Sequence, residues 1–406
     1  MISRKILIEN FSNILEGLKK RNKYIDNIEK LPIYLNNLQN ITTEIEKLQK
    51  NKNLLTKDQK NKKQVIVINQ ELKQLKKDYE KFNNLAKVIE IEIPNLLIKD
   101  VPVGKDANYN VEVIKKSKEY KHNIPHYNMN LVSSAASIVT SRFIYLQGKI
   151  ASLERALGNF LINFLVNEKN FIEISVPLIL SENSLIKTGH IPKEKDNMFK
   201  IEDKDLYLIP TSECSILNVL SNNLFKEEEL PKKFTAFSQN FRKEAGASGK
   251  DLKGLMRLHQ FQKVEMIYLT KDEVASLDSL EEMKKNCCNV LDLLGLEYRI
   301  ILLCSGDTGH TAKITYDVEL WMPGMKKYIE ISSLSYTGVF QSSELQIKYQ
   351  LSNKNKKFCE VLNGTFFGLG RLLAGILETY YDEKNNSINI PSVLKKYLNF
   401  EKIFLK

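Results

Sequence analysis

Within QNFRKEAGASGKDLKGLMRLHQFQKVE, residues 239–265, Arg242, Glu244, Arg257 and Glu265 stand in or beside two β-rich runs joined by a glycine- and charge-rich loop. A charge placed there must find a partner or face a cleft, because burying it alone is costly. An arginine near the end of one strand and a carboxylate two positions later share a sheet face. Such a face, covered by the loop, suits a bent triphosphate. Arg242 would grip a phosphate through paired hydrogen bonds, and Phe261 on the returning strand offers an aromatic plane for a purine. Taken alone, the same residues fit a surface ladder of salt bridges slightly better.

Composition sharpens that reading. Lysine and arginine total 60, yet only Arg4, Arg21, Arg142, Arg155, Arg242, Arg257, Arg299 and Arg371 are arginine. In a chain that uses lysine so freely, an arginine marks a place that needs a planar, bidentate donor. The 406 residues, 43% hydrophobic and 27% charged, support a large core and two domains. A formal charge of +11 fits a polyanionic partner, although the abundance of lysine, asparagine and isoleucine raises charge through composition alone. No apolar run is long enough to span a bilayer, and the first residues read as an amphipathic helix rather than a signal peptide. The expectation is a cytoplasmic protein with no membrane partner. Five cysteines without a CxxC pair read as buried reduced thiols, not as a disulfide framework or a zinc site.

The elements that must position these residues fall into two parts. Apolar residues at Tyr34, Leu38, Ile41, Ile45, Leu48 and Leu55, and again at Ile68, Leu72, Leu75, Tyr79, Phe82, Ala86 and Ile89, follow a heptad pattern. Two helices of roughly 25 residues, each about 35–40 Å long, are expected to fold back through the basic tip TKDQKNKKQ. Periodicity alone leaves a dimerisation coiled coil and an RNA-binding arm equally open. Pro94, Pro102 and Gly104 then mark an extended connector, which gives a helical domain over 1–100 and a second domain over 101–406. In the second, helices alternate with short β-rich runs, which favours an α+β fold around an antiparallel sheet. Neither GxxxxGK[ST] nor GxGxxG occurs, so a nucleotide site would be built on the sheet.

FRKEAG and HQFQKVE, with NFIEISVPLIL upstream and NGTFFGLGRLLAGILE downstream, resemble the three sequence motifs of class II aminoacyl-tRNA synthetases. These are a proline-bearing dimer-interface segment (Pro177), an FRxE strand pair, and a glycine-rich strand-to-helix segment ending at Arg371. IPNLLIKDVPVGKDANYNVEV, TGHIPK, LIPTSE, TYDVELWMPG, EISS and LNGT, in that order behind a heptad hairpin, narrow the match. Across essentially its whole length the chain is similar to the seryl-tRNA synthetase family, as a somewhat divergent member.

The resemblance implies an α+β class II fold: an antiparallel β-sheet flanked by helices and preceded by a coiled-coil hairpin that binds tRNA. It implies a homodimeric ligase that activates L-serine with ATP and Mg²⁺ and loads tRNA(Ser), with tRNA(Sec) left open as a second acceptor and no role for DNA. Arg242, Arg371 and Glu330 would be the catalytic residues. Thr211, Ser212, Glu213, Arg242, Glu265, Asn363 and Thr365 would bind serine. Arg242, Lys243, Glu244, Phe261, Glu330, Ile331, Ser332, Ser333 and Arg371 would bind ATP, with Glu330 and Ser333 holding the metal. His259, His310 and the pair Cys287 and Cys288 read as structural. Two other readings stand beside this one: a related ligase loading a small amino acid onto another carrier, and an RNA-binding scaffold without chemistry. The heptad arm argues against the first, and the four retained charges Arg242, Glu265, Glu330 and Arg371 argue against the second. Some positions depart from the family pattern. Phe366 adds a ring expected beside the amino-acid site, and EISSLSYTGVFQSSE lacks two arginines expected near Ser342 and Glu344.

Overall fold

The heptad stripes fold as two long helices, α1 (Leu31–Leu55) and α2 (Lys62–Glu90), packed along each other. At their base Leu31, Leu35, Leu38, Ala86 and Ile89 join Leu7, Ile14 and Leu18 of two short preceding helices in one apolar core. Toward the tip Ile45, Leu48, Ile68 and Leu75 are only half-buried, as expected where two helices have no third layer to cover them. Arg4 fastens the base: its Nε and Nη2 donate to Glu90 at 2.6 and 3.0 Å, and Nη2 also donates to Asn83 at 2.8 Å. The structure, a computed structural model, describes residues 1–56, 61–118, 124–245 and 253–405. Residues 57–60 of the expected basic tip (56–64) and residues 246–252 of the glycine-rich covering loop lie outside the described residues, and the last three residues of that tip already belong to α2. The chain divides into two compact units, Met1–Leu96 and Leu97–Lys406. Among the described residues no helix is long and apolar enough to cross a membrane.

The second unit is built on eight strands: β1 (Val111–Lys116), β2 (Ile172–Glu173), β3 (Lys232–Phe241), β4 (Gln260–Thr270), β5 (Tyr298–Leu302), β6 (Ile314–Met322), β7 (Lys327–Gly338) and β8 (Glu360–Gly368). Their order across the sheet is β1-β5-β6-β7-β8-β4-β3-β2. The sheet is antiparallel except at its last edge, where β2 runs parallel to β3. A parallel pair needs a long crossover, and residues 174–231 supply it; within them lies helix α4 (Ser212–Val219). One sheet face is covered by α3 (Lys149–Asn163), α5 (Glu273–Leu293) and α6 (Leu369–Thr379), sharing a core with Val264, Met266 and Tyr268 of β4. α6 begins at Leu369, so Gly370 and Arg371 lie in its first turn.

Phe366 turns away from the place expected of it. Thr365 pairs with Glu265 and Phe367 with Val264, so Phe366 is the extra residue of a β-bulge. Its ring is fully buried, with Phe164 stacked at a centroid distance of 6.0 Å and Phe367 at 4.8 Å. It fills the core beneath the helices instead of crowding the opposite face.

Four cysteines are buried and Cys288 is half-buried, all unpaired. Burial pushes the Cys287 thiol up and that of Cys359 up to about 12. An aromatic disulfide reagent should therefore label at most Cys288 in native protein and all five cysteines after denaturation. Phe366→Ala should cost about 3–5 kcal/mol in urea unfolding of this unit through the cavity it leaves.

Candidate active site

β4 has to serve two environments. Its period of two sends Val264, Met266 and Tyr268 into the core and Phe261, Lys263 and Glu265 to the other face. On that face a cleft of ≈ 380 Å³ is lined by Arg242, Glu244, Arg257, Phe261, Lys263, Glu330, Ile331, Ser333, Thr365 and Arg371, among others. A second, more acidic cleft of ≈ 620 Å³ shares Glu330 and Ser333 with it and adds Asp317 and Glu319.

Arg242 is not on a strand. β3 ends at Phe241, so the same-face alternation expected of Arg242 and Glu244 does not apply. A loop positions both residues. The Arg242 amide donates to the His259 carbonyl and His259 Nδ1 to the Arg242 carbonyl, each at 3.0 Å, so His259 acts as a splice between the two chain segments. Glu244 sits at φ 50° and pairs with Arg257 Nε at 3.0 Å. The Arg242 guanidinium is 5.5 Å from the Phe261 ring centroid, and its Nε donates to the Pro210 carbonyl at 3.2 Å. Arg371, in the first turn of α6, donates from Nε to the Met256 carbonyl at 3.0 Å and from Nη1 to the Glu330 carbonyl at 2.6 Å. Gly370 lets that helix come close, since a Cβ there would meet the Leu255 carbonyl oxygen at 3.1 Å. The Leu255 segment is itself pinned from below. Buried His126 donates from Nδ1 to Glu378 at 2.8 Å and accepts the Leu255 amide on Nε2 at 3.1 Å.

Glu330 and Ser333 are an odd number of residues apart, which in a regular strand puts them on opposite faces. The register resolves this: Glu319 pairs with Glu330 and Val318 with Ser332, so Ile331 is a bulge residue and both side chains reach the clefts. Asp317 lies opposite Ser333 with its Oδ1 buried and without a hydrogen-bond partner; burial, then the nearby Glu330 carboxylate, push its carboxyl well above the usual range. Among the described residues no three His, Cys, Asp or Glu side chains form a metal-binding group.

Beside the nucleotide-sized cleft lies a polar niche. Thr211, the N-cap of α4, donates to Glu265 at 3.3 Å and accepts from Lys263 Nζ at 2.6 Å. Lys263 also donates to Thr365 Oγ1 at 3.1 Å and pairs with Glu265. Glu213 accepts from Gln341 at 2.6 Å and Asn363 at 3.1 Å, with His190 4.0 Å away. Three expected residues point elsewhere. Ser212 is fully buried in the first turn of α4, its hydroxyl without a hydrogen-bond partner. Ser332 donates to the Thr365 carbonyl at 2.5 Å and faces Cys287 of α5. Lys243 is held through its amide, on the Asn197 carbonyl at 2.7 Å.

Comparison with known proteins gives this geometry a context. Residues 198–380 match the family model of the class II tRNA synthetase core domain (G, H, P, S and T). A serine–tRNA ligase of Ehrlichia ruminantium is 39% identical, covering 84% of this chain and 87% of the relative. The chain belongs to the serine–tRNA ligase family. Two solved members superpose over its full length or nearly so. The seryl-tRNA synthetase of Pyrococcus horikoshii, complexed with ATP, has a TM-score of 0.89 at 27% identity and covers 100% of both chains. The cytoplasmic serine–tRNA ligase of Naegleria fowleri, complexed with AMP, has a TM-score of 0.85 at 25% identity and covers 98% of this chain and 96% of that one.

The residues lining the site that sequence reasoning missed are Lys263, Gln341 and Asp317. Lys263 was the most accessible of them, since Phe261, Lys263 and Glu265 share one strand face by simple alternation. Gln341, just before the stretch that lacks the two expected arginines, donates to Glu213 at 2.6 Å. Because the Ser212 hydroxyl is buried and unpartnered, Ser212→Ala should leave the KM for serine within about two-fold and thermal stability equal or higher.

Proposed function

We propose that the chain activates L-serine with ATP to give seryl-adenylate and pyrophosphate, then transfers serine to the terminal adenosine of tRNA(Ser). The observation that carries this reading is the convergence of Arg242, Phe261, Arg371, Glu330 and Ser333 on one cleft beside the Thr211–Glu265–Thr365 niche. Phe261 takes the purine face, with Arg242 close enough to bridge ring and phosphate. The serine carboxylate attacks the α-phosphorus in line while pyrophosphate leaves, so no protein nucleophile is needed and positioning and charge supply the rate. Arg242 stabilises charge that builds on the α-phosphate, and Arg371, set at the far side by two carbonyls, holds the γ-phosphate.

Two oxygen-bearing side chains, Glu330 and Ser333, make an incomplete shell for a divalent ion. That incompleteness fits Mg²⁺, which keeps several waters and takes its remaining ligands from phosphate oxygens. When bound it would screen the phosphate charge. In the niche, Glu265 and Thr211 supply an anion and an acceptor for the ammonium, and Thr365 with Asn363 addresses the hydroxyl. Buried groups built to pair with a hydroxyl reject alanine strongly.

The coiled-coil hairpin carries the tRNA contact, reading backbone shape in the cytoplasm as part of a homodimer. Ile172 and Ile179, near half exposed in the motif containing Pro177, support a covered face there.

Serine-dependent ATP–pyrophosphate exchange tests the reading. Arg242→Ala should slow it by about 10²–10³-fold, and Arg242→Lys should not restore it, since lysine cannot bridge phosphate bidentately; absence of exchange with serine in the wild-type protein overturns the proposal. Shortening the hairpin should spare exchange, depress tRNA charging and flatten the salt dependence of tRNA binding.

A further inference from the structure

Lys263 has no part in the chemistry above, yet it occupies the heart of the niche. It is 4% exposed, on a strand, and its ammonium meets three acceptors: Thr211 at 2.6 Å, Thr365 at 3.1 Å and the Glu265 carboxylate. An ammonium has three N–H donors, so Lys263 is fully satisfied by the groups assigned to the amino acid. The α-ammonium of serine has the same donor set and the same charge. Two cations cannot share one buried carboxylate at contact distance without a large repulsion.

Resting on the serine-activation reading, we propose that Lys263 is an internal placeholder for the substrate ammonium. In the empty enzyme its ammonium is the counter-charge of Glu265 and keeps the niche satisfied, and serine displaces it. The side chain has room to withdraw, because Lys263 also lines the cleft that holds Arg242. Four methylenes allow Nζ to swing there while the strand stays fixed, toward the side where the serine carboxylate and α-phosphate meet.

The placeholder matters because Glu265 is buried. Desolvation, the largest effect, raises its carboxyl; the Lys263 ammonium pulls it part of the way down and Glu213 opposes that pull, so the net direction is up. These are the charged groups that face it. Lys263 lies on its own strand and Glu213 on α4, while β8 presents Thr365 and β3 presents Ala236 opposite. Without Lys263 the carboxyl would lose the cation that pulls it down, and a carboxyl that gains a proton gives an incoming ammonium little reason to stay. Lysine thus keeps ready a site that it must leave, acting as a positioning residue through Glu265.

The test is the pH profile of serine-dependent ATP–pyrophosphate exchange for wild type, Lys263→Met and Lys263→Arg, joined to crystal structures of the wild type empty and with serine. In Lys263→Met the raised Glu265 carboxyl is protonated at low pH, so the KM for serine should be high near pH 6 and fall up to about ten-fold per unit as pH rises toward 8.5. The KM for ATP should not move, and Lys263→Arg should restore the flat wild-type profile. In crystals the serine ammonium should take the place of Nζ on Thr211 and Glu265. A wild-type profile in Lys263→Met, a pH-independent loss shared by serine and ATP, or bound serine beside an unmoved Lys263 would overturn the placeholder. Failure of wild-type exchange would instead sink the serine reading itself. The crystal structures decide the matter even if the methionine variant does not fold.

Discussion

Everything in the catalytic unit depends on one central strand having two incompatible faces. β4 is flanked on both sides by strands, so its backbone is fully committed, and only the alternation of its side chains is free to vary. Val264, Met266 and Tyr268 fix that strand against three helices, which removes the freedom of Phe261, Lys263 and Glu265 on the reverse. A buried ion pair is a poor source of stability by itself. Here the core on the opposite face holds the pair in position, and the pair in turn forces the niche to be polar. Rigidity on one side of the sheet becomes preorganisation on the other.

Strict alternation would nevertheless give the wrong site. The proposed ligand set needs Glu330 and Ser333 on one face, and it needs Thr365 in the niche while the next ring goes to the core. Both are achieved by one extra residue, Ile331 in β7 and Phe366 in β8. These two bulges sit on adjacent strands at the level of the cleft, while the sheet's other register shifts fall at Val113 in its edge strand and at Thr337. This also disposes of the concern raised by Phe366. A bulky residue at a bulge can be absorbed by the core, whereas one residue earlier it would have faced the substrate.

These facts explain what the sequence made legible. Heptad spacing gave the two hairpin helices because it is a local signal repeated many times, and the stripe it marks is buried at Leu38, Leu72, Ala86 and Ile89 and half-buried between them. Arg242, Phe261 and Arg371 were legible through the rarity of arginine and through ordered motifs. The bulges were not, since a one-residue slip in register leaves no trace in composition. Thus the direction of Phe366 was misjudged, and Arg242 and Glu244 were assigned an alternation that a loop does not obey. Lys263 escaped notice because lysine is common in this chain and a buried one looks like any other until its three partners are seen. Rarity of arginine also overreached, for Arg4 serves only to clamp the base of the hairpin on Glu90.

What separates a ligand-gripping arginine from a structural one is the kind of group that holds it. Arg257 is paired with Glu244 and Arg299 with Glu319 at 2.5 Å; their charge is spent inside the protein. Arg242 and Arg371 are instead oriented by backbone carbonyls, those of Pro210, Met256 and Glu330, with the nearest carboxylate of Glu330 at 3.9 Å from Arg371. A carbonyl fixes direction through a hydrogen bond and leaves most of the positive charge for an anion to meet. The two guanidinium groups are therefore aimed and still charged, as a triphosphate requires. Lys263 belongs to neither class, being held by a carboxylate that has a second claimant. That difference makes one cation in this cleft exchangeable while its neighbours stay fixed.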